Sequence, residues 1–159
     1  MSVPLSKRTE SKLQVIVTAT DIKTAIHDLC LRDFGIKDID HIIRKKYNVI
    51  QNAKDKHERY SLELYRARDE LASLSDQLLY NVRTANRQKM NSLRKCNIRL
   101  SYQEKALDLC EMIIAKSQDI VTFFAVDLKT FKPLVTLIDS EIKLIKSWIT
   151  YTKKVMKIL

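Results

Sequence analysis

Glycine and proline are nearly missing from this sequence: Gly35 is the single glycine, and the prolines are Pro4 and Pro133. Tight turns, bulges and two-residue hairpins depend on these residues, so a β-rich fold has almost nothing to turn with. Between Gly35 and Pro133 neither residue occurs, and that stretch reads as helices joined by short polar connections. One glycine also excludes the GxGxxG and GxxxxGK[ST] loops that cradle phosphates. Cysteine is scarce: Cys30, Cys96 and Cys110 are odd in number and form no CxxC pair, which fits neither a zinc site nor a disulfide framework. They read as small apolar core residues in a reducing compartment. Long apolar runs are missing as well. The longest uncharged one, Ile120 to Val126, is far too short to cross a bilayer. The opening MSVPLSKRTESK lacks the apolar segment of a signal peptide, so the expected location is cytoplasmic.

Catalytic and metal-binding patterns are absent too. His27, His41 and His57 show no HExxH spacing, and no glutamate lies three residues before a histidine, as a di-iron bundle requires. His57 falls on an apolar row beside Glu58, where it is either a hydrogen-bonded core or interface histidine or a buried switch. The expectation is a protein that binds and does not catalyse, with no cofactor.

Positive charge and helical periodicity are abundant. Twenty-nine Lys and Arg face 19 acids, a net charge of +10 in 159 residues. That excess suits a polyanionic partner, nucleic acid before membrane surface, or else serves solubility alone. Four apolar stripes predict one all-α domain, an antiparallel up-down-up-down four-helix bundle with helices at about 9–33, 38–85, 91–122 and 130–157. In the first helix, opened by Thr9 and stopped by Gly35, Val15, Ala19, Ile22, Ile26 and Leu29 alternate in steps of four and three. The second begins at Asp38 or Asp40, and Ile43, Ile50, His57, Leu64, Leu71 and Leu78 recur every seven residues. The third carries the row Leu93, Leu100, Leu107, Ile114 and Val121, with Cys96, Cys110 and Phe124 on a companion row. The fourth tolerates Pro133 in its first turn and carries Leu134, Leu137, Ile138, Leu144, Ile145, Trp148, Ile149 and Val155. The second helix is extended: roughly 45 residues, or about 70 Å, against about 25 to 30 residues for its neighbours. Either it breaks near the polar stretch QNAKDKHERY, or part of it projects and needs a partner.

The charge is unevenly placed. From Gln77 to Gln103 there is no acid, while Arg83, Arg87, Lys89, Arg94, Lys95 and Arg99 lie in the window. It spans the end of the second helix and the start of the third, so these residues form one basic end. Arg83 and Arg87 share a face, as do Lys95, Arg99 and Tyr102. Cations neutralise phosphates and a ring stacks on an unpaired base, so these seven residues are the candidate nucleic-acid site. Six such cations on single-stranded phosphates predict a slope of about −4 for log affinity against log salt. A second acid-free run, Lys143, Lys146, Lys153, Lys154 and Lys157, either adds to binding or complements a helix C-terminus. Lys7, Arg8 and Lys12 form a basic arm.

Several segments carry a resemblance: SVPLSKRTESKLQVIVTATDI, then TANRQKMNSLRK, YQEKALDLCEMI and FKPLVTLIDSEIKLIKSW. Together they resemble the four-helix-bundle family of the accessory variability determinant of diversity-generating retroelements. That family also takes in small proteins encoded in ribosomal RNA intervening sequences. The resemblance covers about two-thirds of the chain and lies in the pattern of apolar and basic positions. It implies a homopentameric, non-catalytic scaffold whose basic surface binds RNA, or an RNA/DNA hybrid, together with a reverse transcriptase. By position, Arg94, Lys95 and Arg99 match the family's Arg-rich region, and Leu144, Ile145 and Trp148 its apolar C-terminal signature. The chain departs from the pattern at Phe34-Gly35-Ile36-Lys37, where Phe-Pro-Lys is usual, and in a longer second helix around Arg44 to Leu64. The alternatives are a ribosomal-RNA-associated bundle protein without a polymerase partner, and a purely structural helical oligomer.

Overall fold

A computed structural model describes residues 13–159, among which there are five α-helices and no strand. They are α1 (Gln14–Leu31), α2 (Ile39–Lys46), α3 (Ala53–Arg87), α4 (Leu93–Phe123) and α5 (Leu128–Lys157). α1 packs on α3 and α5, and α4 packs on the same two helices. No helix is long and apolar enough to cross a membrane. The start proposed at Thr9 and the basic arm Lys7, Arg8 and Lys12 lie outside the described residues.

The stripe of α1 faces inward as its spacing requires: Val15, Ala19, Ile22, Ile26 and Leu29 are all buried. The helix ends at Leu31, ahead of the glycine. Asp33, Phe34 and Gly35 then follow with φ of 49°, 57° and 70°. Glycine takes this left-handed region freely, but a phenylalanine there costs roughly 1–2 kcal/mol. Tertiary contacts hold the turn: Phe34 is fully buried, with ring centroids 5.9 Å from Phe131 and 6.4 Å from Phe124. The Arg68 guanidinium donates to the Asp33 carboxylate at 2.8 Å.

The extended second helix is corrected: it is two helices, α2 and α3, separated by residues 47–52. The local chemistry for the break is at both edges. Arg44, Lys45 and Lys46 fill the last turn of α2, and the Asn52 side chain accepts from the Lys54 N–H at 2.9 Å to cap α3. The tertiary reason is burial. A straight helix would carry Ile42, Ile43 and Tyr47 beyond the ends of the other helices, whereas the fold-back places all three in the core. The interval of seven survives in the sequence but not in space: Ile50 sits in the connection and His57 is exposed on α3. The core or switch role for His57 therefore falls away.

The inward line of α4 also differs from the expected row. Leu93 is exposed, and Leu100, Leu107, Ile114 and Val121 are only half-buried. The buried line runs Cys96, Arg99, Gln103, Ala106, Cys110, Ile113, Ser117 and Ile120. Small and polar side chains alternate with Leu109, Ile113 and Ile120 on this buried side, while Leu100, Leu107, Ile114 and Val121 lie half-buried beside it.

Candidate nucleic-acid interface

The acid-free window folds into one end of the molecule. α3 finishes at Arg87, with the Gln88 N–H bonded to the Ala85 carbonyl at 3.1 Å. The chain turns through residues 88–92, and Ser92 starts α4 by accepting from the Lys95 N–H at 3.2 Å. Arg87, Lys89 and Arg94 are exposed around this connection, with Arg83 and Lys95 half-buried beside them.

Arg99 is different. It is only 7% exposed and points into the bundle. Its Nη1 donates to the carbonyls of Gln88 and Ala85 at 3.2 and 3.5 Å, and its Nε to the Thr152 hydroxyl at 3.4 Å. The guanidinium carbon lies 4.8 Å from the centre of the Trp148 ring. Burial pulls its pKa below the ordinary arginine value, yet the partners are those a cation wants: terminal helix carbonyls and a π face. Thr152 completes the cluster, accepting also from the Gln103 amide at 3.0 Å and donating to the Trp148 carbonyl at 3.2 Å. Arg99 therefore belongs to the scaffold that ties α3, α4 and α5 together, and its expected place on the outer binding face is corrected. Tyr102 is half-buried with the Lys105 ammonium 5.0 Å from its ring centre, so its outer face already meets a cation.

The two acid-free runs meet. Lys153 and Lys154 follow Thr152, whose hydroxyl touches Arg99, and with Lys157 they are exposed at the same end as the 88–92 connection. Sequence spacing could not show this, because it depends on how α4 and α5 pair.

One interior group escaped the sequence reading. Glu141 of α5 is fully buried, and neither carboxylate oxygen has a hydrogen-bond partner. Burial pushes its pKa up to about 8, so the acid is mostly protonated at neutral pH. Burial first, and the nearby Glu141 second, push the Cys110 thiol up to about 12. The signal for Glu141 was present, since it sits in the run Leu134, Ile138, Glu141, Ile145 at steps of four, three and four. Cys30 reads as a packing residue whose Sγ contacts the Arg68 carbonyl at 3.8 Å. Among the described residues no three His, Cys, Asp or Glu side chains come together as metal ligands would.

No family model matches the chain, and neither a curated protein nor a solved structure matches it.

Proposed function

We propose that this chain is a non-enzymatic RNA-binding accessory protein acting as an oligomeric scaffold. The observation that carries the reading is the acid-free end, where Arg87, Lys89 and Arg94 are exposed around a short connection while Arg99 anchors that connection from inside. Cations on a braced turn can meet phosphates without ordering a loop first, which lowers the entropic cost of binding. The finer parts follow the resemblance. The architecture is an antiparallel up-down-up-down bundle of α1, α3, α4 and α5, supported by the way each of these helices packs on two of the others. The assembly is a homopentamer in the cytoplasm, and the protein partner is the reverse transcriptase of a diversity-generating retroelement.

RNA affinity measured against salt tests the proposal. With Arg99 turned inward, Arg83, Arg87, Lys89, Arg94 and Lys95 remain. If all five meet phosphates, log affinity falls with log salt at a slope of about −3.5. Replacing Arg87, Lys89 and Arg94 together with Glu abolishes retention of RNA. Affinity indifferent to salt and unchanged in that variant would falsify the reading. Co-purification with a reverse transcriptase encoded beside this chain separates the retroelement role from a ribosomal-RNA role.

A further inference from the structure

The acid-free window leaves one aromatic ring open to solvent, on Tyr80. Its side chain is 60% exposed on α3, whereas the ring of Tyr102 meets Lys105 and that of Trp148 meets Arg99. Tyr80, Thr84 and Arg87 follow one another at steps of four and three, which puts them on one helical face. The opposite face is the one that buries Leu78, Val82 and Ala85. The Thr84 hydroxyl donates to the Tyr80 carbonyl at 2.7 Å and is thereby occupied by the backbone. Asp76, one turn before Tyr80 on the same face, is paired with Lys23 at 3.0 Å, so the nearest acid of α3 is already matched. The Cα atoms of Tyr80 and Arg87 are thus about 10 Å apart along the helix axis, with Lys89 and Arg94 beyond.

Phosphate contacts alone accept any nucleic acid. An exposed ring adds a preference, because it offers a π face to an unpaired base, while bases inside a duplex are already stacked. From this juxtaposition we infer that the ligand of the basic end is single-stranded RNA, with one base stacked on Tyr80 and the strand's phosphates running past Arg87 towards Lys89 and Arg94. The inference rests on the RNA-binding reading above and narrows it.

The test uses the full chain with two labelled probes of equal length, an unstructured RNA oligonucleotide and an RNA duplex, read by fluorescence anisotropy across salt. Wild-type protein prefers the single strand. Tyr80→Ala loses on the order of tenfold in single-strand affinity, keeps the salt slope and binds the duplex as wild type does. Tyr80→Trp restores the affinity. Arg87→Gln, in contrast, makes the slope shallower by about 0.7. Unchanged single-strand binding in Tyr80→Ala, alongside weakened binding in Arg87→Gln, overturns the stacking role and leaves the RNA-binding reading standing. Retention of neither probe by wild type overturns both. A change in sedimentation mass in Tyr80→Ala assigns the ring to a contact between copies, and the inference falls.

Discussion

The two ends of the molecule solve the same problem with opposite chemistry. At one end Phe34, Tyr60, Phe124 and Phe131 pack ring against ring, with Tyr60 edge-on to Phe124 at 5.9 Å, and the short α2 buries Ile42 and Ile43 and sets Lys46 5.4 Å from the Phe123 ring centre. At the other end, among the described residues, no aromatic cluster closes the core. Arg99 enters it, donates to the carbonyls of Ala85 and Gln88 and lies against Trp148, while Arg87, Lys89 and Arg94 stay exposed. The aromatic end is sealed by area removed from solvent. The basic end is held by directed hydrogen bonds to a charge, with Arg87, Lys89 and Arg94 exposed outside it. Closing a bundle end with a buried cation thus lets a charged surface sit directly above the core.

The largest expected effect lies between the two ends, at Glu141. Its pKa is raised in the folded chain from 4.5 to about 8, so the folded state holds a proton that the unfolded state releases. The stability this group provides is full below about pH 4.5, declines as pH rises, and is lost above about pH 8, a change on the order of 5 kcal/mol. Urea unfolding of wild type and Glu141→Gln at pH 5 and pH 8.5 checks this: the variant gains on wild type as pH rises, and parallel pH profiles would sink the idea. Next comes the aromatic end, where Phe34→Ala is expected to cost about 3–5 kcal/mol, read from the same urea midpoints, with RNA affinity unchanged. Smaller again is the loss from Arg99→Met. It removes the donor from two carbonyls and a threonine hydroxyl and costs about 2–3 kcal/mol. Arg94→Gln stays within about 0.5 kcal/mol of wild type but weakens RNA binding. Equal stability losses for Arg99→Met and Arg94→Gln would erase the distinction drawn between the buried cation and its exposed neighbours.

Much of the fold can be read from local spacing, and its failures share a cause. The stripe of α1 is legible because every member lies within one helix. The break before α3 is only half legible: the polar stretch from Gln51 offers it as one of two alternatives, but Ile43, Ile50, His57 and Leu64 keep their interval of seven across a connection that is not helical. The two asparagines in that connection, Asn48 and Asn52, were the better guide, because Asn favours caps over helix interiors. At the basic end the acid-free window correctly joined residues of α3 and α4 around one connection. It could not separate Arg99 from Lys95. Their spacing of four is the same surface pattern, and only partners at 85, 88, 148 and 152 decide which side chain turns inward. Glu141 was legible in principle: an acid inside an otherwise apolar row forecasts a buried, neutral carboxyl.

The fold-back of α2 has a consequence for motion. Eight residues are too few for a helix to persist alone in water, and α2 touches α3 only sparsely. Its amides are therefore expected to exchange with solvent through an opening that leaves the four long helices intact, well before the global unfolding that releases those of α3. The end that holds the aromatic cluster is thus the one with the short, sparsely attached helix. Each such opening uncovers part of the aromatic cluster for an instant, while the basic end stays folded.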